Sequence, residues 1–286
     1  MSAQPPFEIV TPGKGAAASP LVFASPHSGR VYPPEMMEAS ALDAEAIRRS
    51  EDAFVDELIG AAPKHGATLL LARLARAWID VNREPWELDP GMSVDELPDF
   101  ARGRSARVAA GLGSIAKIVS EGQEIYARKL TFEEARERIE TTHKPYHAAL
   151  SALLDKAKAE HGLAVLIDWH SMPSAAAAQG RSGKGCDLVL GDRFGAACAP
   201  ALTRLVEQQF EAMGYRTVRN APYAGGYTTE HYGKPGKRVH ALQIEINRAL
   251  YLDEATMRPT EGLARLSRDI ERLTQALSEA DWSHLR

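Results

Sequence analysis

Two histidines of this chain follow short apolar runs, at points where the sequence turns polar. Residues Leu163–Ile167 lead into Asp168 and His170, and residues Leu21–Ala24 lead into a small polar stretch with His27. Histidine binds metal ions and transfers protons near neutral pH. Asp168 and His170 are two positions apart, so in a strand their side chains project to the same face. We expect a functional site here, because ligands of α/β sheets bind beyond the carboxyl ends of the strands.

Carboxylates elsewhere in the chain complete the donor set of a hydrolytic metal site. Glu51 and Asp52 lie in a segment with helical periodicity, and Glu245 lies in an alternating apolar stretch. Two histidines and one carboxylate can hold a zinc ion with water in the open position, while a further glutamate removes a proton from that water. His27, His170 and either Glu51 or Asp52 are therefore candidate ligands, and Glu245 is the candidate base.

Some of these residues also have a purely structural interpretation. Glu245 could pair with Arg248 or with His240 on a neighbouring strand, because structural ion pairs also bury acids in sheets. His143 and His147 have the i, i+4 spacing of helical metal ligands. A proline stands between these two histidines and apolar residues flank them, which favours a packing role.

Cationic and polar side chains are candidates for substrate binding. Asn82 and Arg83 follow a predicted strand, and the planar guanidinium of arginine matches a carboxylate. The Gly-rich segment 220–229 carries Tyr227 and Thr228 and lacks the spacing of a phosphate-binding loop. This segment is typical of a flexible loop that covers a small-molecule substrate.

Stretches with strand and helix character alternate along the chain. This alternation predicts a single-domain α/β sandwich over residues 1–286, with a central mixed, mostly parallel sheet flanked by helices. We expect an irregular leader over residues 1–19 and an irregular loop or lid over residues 84–123. Two predicted elements carry site residues: a helix over residues 41–62 and a strand over residues 77–81.

Composition limits the kinds of partner. The 286 residues carry a net charge of −4, which gives no reason to expect a nucleic acid or an anionic membrane as partner. Two cysteines, Cys186 and Cys198, fit a reducing compartment. No signal-peptide pattern and no bilayer-length apolar stretch is present, so we expect a cytoplasmic protein. The oligomeric state is not predicted by these features.

Seven motifs follow one another over residues 25–251. They are S-P-H-S-G-R-x-Y-P at 25–33, E-D-A-F-V-D-E-L at 51–58, R-A-W-I-D-V-N-R at 76–83, D-W-H-S-M-P at 168–173, P-Y-A-G-G-Y-T-T at 222–229, Y-G-K-P at 232–235 and H-A-L-Q-I-E-I-N-R-A-L-Y at 240–251. Together they resemble the N-formylglutamate amidohydrolase family. The resemblance implies a phosphorylase/hydrolase-like α/β fold, related to zinc carboxypeptidases and aspartoacylase. It also implies hydrolysis of N-formyl-L-glutamate to formate and L-glutamate, a late step of histidine breakdown.

The resemblance also assigns roles to residues, with one departure. Carboxypeptidase relatives carry an H-x-x-E pattern, but here the third residue after His27 is Arg30. The family pattern points instead to Asp52 as the carboxylate ligand, with Glu51 in reserve. By resemblance to an aspartoacylase-like pattern, Arg76 is the candidate that polarises the scissile carbonyl.

The implied substrate has two carboxylates, and each needs a cationic partner when it leaves water. Arg83 is the candidate for one carboxylate, and Arg76 and Arg248 are candidates for the other or for polarising the scissile carbonyl. Asp80 is expected to orient one of these arginines. One divalent metal ion is expected, and two histidines with one carboxylate suit zinc best, although iron, cobalt or manganese could bind there.

Two other functions compete with this one. The first is a zinc deacylase or carboxypeptidase-like hydrolase of another N-acyl amino acid, because the sequence does not define the size of the acyl pocket. The second is a catalytically silent module that binds a metal or an amino acid. Glu245 argues against the second, since a binding module does not need a general base.

Overall fold

The apolar runs of the sequence form the strands of a seven-stranded sheet. A computed structural model describes residues 5–119, 122–178 and 185–285. The strands are β1 (Phe7–Val10), β2 (Leu21–Ser25), β3 (Thr68–Ala72), β4 (Ala164–Met172), β5 (Leu188–Gly191), β6 (Thr217–Arg219) and β7 (Val239–Asn247). Their order across the sheet is β1-β3-β2-β4-β7-β5-β6. A separate antiparallel pair is formed by β8 (Leu252–Asp253) and β9 (Arg258–Pro259).

The sheet is mixed, with its central strands parallel. β2 pairs in parallel with β3 and β4, and β4 with β7, whereas β5 runs antiparallel to β7. Every residue of β4 is buried, as expected for a strand that is covered on both faces. Trp169 of β4 packs on Phe23 of β2, with ring centroids 5.6 Å apart. The prediction of an α/β fold with a mixed central sheet is confirmed.

Helices alternate with these strands. They are α1 (Pro34–Ala39), α2 (Val55–Leu58), α3 (Ala106–Ala109), α4 (Phe132–Arg138), α5 (Lys144–His161), α6 (Ser174–Ala178), α7 (Pro200–Ala212), α8 (Tyr227–Tyr232) and α9 (Gly262–Glu279). In α9, Leu266, Ile270, Leu273 and Leu277 are buried, which is the spacing of one apolar helix face. Among the described residues, no helix combines the length and apolar character needed to cross a membrane.

Backbone contacts divide the chain into two compact units. The first comprises residues 1–8, 26–53 and 72–149, and the second comprises residues 9–25, 54–71 and 150–286. The single domain expected over residues 1–286 stays a prediction.

A buried arginine organises the interior of the first unit. Arg138, at the end of α4, is 2% exposed. Its Nη1 donates to the carbonyl of Trp78 at 3.1 Å and to the hydroxyl of Tyr126 at 2.6 Å. The guanidinium also lies 3.9 Å from the centre of the Trp78 ring, a cation–π contact that offsets part of the cost of burying the charge. Arg138 thereby holds the segment in which Arg76, Asn82 and Arg83 lie.

The two predicted elements that carry site residues are wrong. In place of a helix over 41–62 there is a 3₁₀ turn over Ala46–Ser50, then a bend and a turn over residues 51–54, then the short α2. Phe54 has a φ of 63°, which interrupts a right-handed helix. Residues 77–81 lie in turns and irregular backbone rather than in a strand. Their carbonyls at Ala77, Trp78 and Val81 accept side-chain hydrogen bonds in place of ladder bonds.

The two segments expected to be irregular contain short regular elements. Within residues 1–19 the chain forms β1, and within residues 84–123 it forms α3 and two 3₁₀ turns, Pro90–Met92 and Asp99–Ala101. Residues 1–4 and 120–121 of these segments lie outside the described residues.

After β2 the chain passes close to the backbone of Leu74, and Gly29 provides a test of this close approach. A Cβ atom at position 29 would overlap the carbonyl oxygen of Leu74, a backbone atom that cannot move aside cheaply. We therefore expect Gly29→Ala to lower the free energy of unfolding by about 1–3 kcal/mol, the usual cost of overpacking. Thermal denaturation measures the change. Gly13→Ala is the control, because a Cβ at Gly13 meets nothing within 4 Å. Equal melting temperatures for both variants would contradict this close approach.

Candidate metal and catalytic site

The first histidine, His27, lies two residues after β2 and is buried. Its Nε2 lies 2.6 Å from Asp80 Oδ1, so this nitrogen donates to the carboxylate. Its Nδ1 lies 3.3 Å from Asp52 Oδ2. With Nε2 committed to Asp80, Nδ1 is the ring atom that can bind a metal ion beside Asp52. A carboxylate on the far nitrogen of a ligating histidine is a common outer partner in metal sites.

Asp52 rather than Glu51 faces His27. The backbone N–H of Asp52 donates to the carbonyl of His27 at 2.9 Å, which fixes the two residues side by side. Glu51 is engaged elsewhere. Its Oε1 accepts from the Tyr32 hydroxyl at 2.7 Å, and Arg48 donates to both of its carboxylate oxygens. Burial and the Glu51 charge raise the pKa of Tyr32, so the phenol stays protonated as a donor. These contacts support Asp52 as the ligand candidate.

The second histidine, His170, repeats this arrangement within a single strand. Its Nε2 lies 3.0 Å from Oδ2 of Asp168, two residues earlier in β4. One ligand atom from each of His27, Asp52 and His170 lies within 4.8 Å of the others, and all three residues are buried. Donors about 2.1 Å from one ion in tetrahedral geometry would be about 3.4 Å apart. The buried His27–Asp52–His170 group could therefore hold a metal ion.

Asp80 connects His27 to Arg76, the candidate that polarises the scissile carbonyl. Its Oδ2 accepts from Arg76 Nη2 at 2.6 Å, and its Oδ1 accepts from the backbone N–H of Asn82 at 2.8 Å. Burial alone would raise the pKa of Asp80. His27, Arg76 and Arg83 together outweigh burial and hold that pKa well below its usual value. Asp80 is therefore a carboxylate that orients its neighbours, as the sequence predicted.

Arg83 lies in a cluster of positive charge within the first unit. Its Nε donates to the carbonyl of Leu112 at 3.1 Å, and its Nη1 donates to that of Asn82 at 3.0 Å. Burial lowers the pKa of Arg83, the Asp80 charge raises it in part, and the nearby charges of Arg76 and Arg107 lower it again. Clustered guanidinium groups repel one another, so an anionic ligand among them would be stabilised.

His143 and His147 hold the backbone that carries Asn82 and Arg83. His143 Nε2 donates to the carbonyl of Arg83 at 2.9 Å, and His147 Nε2 donates to that of Val81 at 2.7 Å. His143 ends a π-helical turn, Ile139–His143, and such turns are frequent at functional sites. These bonds agree with a structural role for the pair. The i, i+4 spacing of the two histidines is visible in the sequence. The backbone carbonyl that His143 binds is not, because it lies 60 positions away.

Glu245 lies on β7 next to His170 on β4. The two residues are directly paired in the parallel register, so their side chains project from the same face of the sheet on strands about 4.8 Å apart. Glu245 Oε1 accepts from Gln243 Nε2 at 2.8 Å. His240 cannot reach Glu245, because five residues of strand separate them by about 16 Å. Its Nδ1 instead accepts from the backbone of Ala199.

The remaining substrate-binding candidates lie in the second unit. Arg248 begins a 3₁₀ turn after β7 and donates from Nε to the hydroxyl of Ser171 at 3.1 Å. Tyr227 and Thr228 form the first turn of α8, in a segment that the sequence predicts as a loop. Thr228 is buried, and the Tyr227 ring stacks on His231 with centroids 5.1 Å apart. Their contact with a substrate stays a prediction.

This chain is similar to known proteins over most of its length. A family model described as N-formylglutamate amidohydrolase matches residues 19–252. The N-formylglutamate deformylase of Pseudomonas putida is 31% identical over 82% of this chain and 82% of its own length. The crystal structure of an N-formylglutamate amidohydrolase from Ralstonia eutropha JMP134 is 38% identical, with a TM-score of 0.86, and the match covers 96% of this chain and 97% of that one. This chain belongs to the N-formylglutamate amidohydrolase family.

Proposed function

We propose that this protein hydrolyses the amide bond of N-formyl-L-glutamate to give formate and L-glutamate. The observation that carries the proposal is the buried His27–Asp52–His170 group, with Glu245 paired beside His170, in a member of this family. Formate release from a panel of N-formyl, N-acetyl and N-formimino amino acids tests it. Release from N-formyl-L-glutamate well above the others is expected, and no release from it would refute the function. A late step of histidine breakdown, which the resemblance implies, is part of this proposal.

We further propose that the group holds one divalent ion, zinc by its donor types. When bound, such an ion polarises the scissile carbonyl and makes water more acidic. Asp80 and Asp168 hold the rings of the two histidines through Nε2, so that each Nδ1 would be the atom that binds the ion. A relation to zinc peptidases, implied by the resemblance, belongs to the same proposal.

Glu245 is proposed as the general base. It takes a proton from the attacking water and returns it to the nitrogen of the leaving glutamate, since an amine must be protonated before the C–N bond breaks. The position next to His170 supports this role, because a base must lie within hydrogen-bonding reach of the water it activates. Arg76 is proposed to polarise the formyl oxygen, held in place by Asp80.

The substrate carboxylates are assigned to the cationic residues. Arg83 is proposed to bind one carboxylate, supported by the charge cluster that it forms with Arg76 and Arg107. Arg248 is proposed for the other carboxylate. Asn82, Tyr227 and Thr228 are proposed as further substrate contacts. Asn82 and Thr228 are buried, which suits side chains that bind a substrate rather than solvent.

Metal content distinguishes the two adjacent acids. Asp52→Asn is expected to lower the bound metal per chain severely, because Asp52 Oδ2 lies 3.3 Å from Nδ1 of His27, the other proposed ligand atom. Glu51→Gln is the matched control and is expected to keep the metal, since Tyr32 and Arg48 already occupy its carboxylate. Elemental analysis of the purified variants measures both. Loss of metal in Glu51→Gln with full loading of Asp52→Asn would reverse the assignment.

Arg83→Lys keeps the charge but loses the planar fork. It is expected to raise the KM for N-formyl-L-glutamate by about 10-fold or more with a smaller change in kcat, as for a lost bidentate contact. Arg136→Lys, in an exposed ion pair on α4, is the control. Steady-state kinetics unchanged from the wild type would remove Arg83 from the substrate site.

Glu245→Gln keeps the shape of the side chain and removes its basicity. Turnover is expected to fall by about 10²–10⁴-fold, the usual contribution of a general base, with metal content and melting temperature retained. The exposed residue Glu261 offers the control Glu261→Gln. A metal-loaded Glu245→Gln protein with near-normal formate release would assign Glu245 a structural role.

A further inference from the structure

Gln243 lies two residues before Glu245 on the same face of β7, and its side chain is buried. Its Nε2 donates to Glu245 Oε1 at 2.8 Å, and its Oε1 accepts from the backbone N–H of Gly226 at 2.7 Å. The two bonds require the same orientation of the amide, because only the nitrogen can donate and only the oxygen can accept. Gln243 therefore connects a fixed backbone group to the carboxylate of Glu245.

The backbone at Gly226 is itself held against the sheet. Gly191 of β5 is paired with Gln243, and a Cβ at Gly191 would lie 2.8 Å from backbone atoms of Ala224 and Gly225. The missing side chain lets this segment approach the strand. The carbonyl of Gly226 accepts from Thr229 Oγ1 at 2.9 Å, and this bond holds in place the residue whose N–H donates to Gln243.

We propose that Gln243 is a positioning residue that holds the Glu245 carboxylate in the orientation needed for proton transfer. This inference rests on the proposed function of Glu245 as general base. A glutamate side chain has three rotatable bonds, and proton transfer requires heavy-atom separations of about 2.6–3.2 Å. A buried donor on one carboxylate oxygen removes much of that rotational freedom. Gln243 acts through Glu245 and not on the substrate.

Gln243→Met tests this role, since methionine has a similar length and removes both hydrogen bonds. The expected result is a fall in kcat of about 10–100-fold, part of the contribution of a general base, with KM within about 2-fold of the wild type. Metal content and melting temperature are measured on the same samples. Gln208→Met, on the exposed face of α7, is the control for the substitution itself.

A double-variant cycle separates positioning from general destabilisation. If Gln243 acts through Glu245, Gln243→Met should not lower the residual turnover of Glu245→Gln further, because the base is already absent. A structural role would reduce turnover by the same factor in both backgrounds. An equal reduction, or a Gln243→Met protein with wild-type kcat, would overturn the inference.

Gln243→Glu tests the same role if the methionine variant does not fold. Glutamate retains an acceptor for the Gly226 N–H but replaces the N–H donor that faces Glu245 with an oxygen. A loss of kcat comparable to that expected for Gln243→Met supports the inference, and wild-type kcat contradicts it. Absence of formate release by the wild type would refute the proposed function itself. Normal Gln243 variants beside an inactive Glu245→Gln protein would refute this inference alone.

Discussion

The buried carboxylate of Asp80 is the interaction on which the first half of the site depends. Three donors converge on it: the ring of His27, the guanidinium of Arg76 and the backbone of Asn82. A buried carboxylate is costly unless its charge is balanced and its oxygens are hydrogen-bonded, and here both conditions are met. One carboxylate thus fixes the ring orientation of a candidate metal ligand, His27, and the direction of an arginine. The positions of the candidate ligand and the candidate carbonyl-polarising residue are therefore coupled.

The second half of the site depends on strand register. Asp168 and His170 on β4 are paired with Gln243 and Glu245 on β7, so four polar side chains share one face of two parallel strands. The alternate residues, among them Trp169 and Ile244, are fully buried on the other face. A shift of one residue would exchange the two sets and bury the polar side chains among apolar ones. The apolar core therefore positions these four polar side chains as firmly as the hydrogen bonds do.

The first half of the site depends on hydrogen bonds between distant residues, and the second half depends on strand register. This difference explains which parts of the site the sequence could predict. The strands that carry His170 and Glu245 were predictable because period-two alternation and local apolar runs define them. The environment of Asp52 and of the 77–83 segment was not, since long-range bonds determine both. Asp52 N–H bonds to His27, and Asp80 N–H bonds to the carbonyl of Ser114. A helical pattern around position 52 cannot reveal a partner 25 positions earlier in the chain. Gln243 stands within the 240–251 motif, but it was missed because an amide in an alternating strand does not by itself indicate a function.

The glycines of segment 220–229 are required by the backbone structure, for a reason that the sequence pattern alone does not show. Composition predicts a flexible loop that covers the substrate, but Gly225 has a φ of 117° and a Cβ there would overlap the hydroxyl of Thr229. This backbone conformation favours glycine. With Gly191 beneath it, the segment packs directly on the sheet and starts α8 at Tyr227. Glycine here permits close packing, and that packing brings a backbone N–H within reach of Gln243. The same residues that suggest mobility therefore build a rigid connection to Glu245.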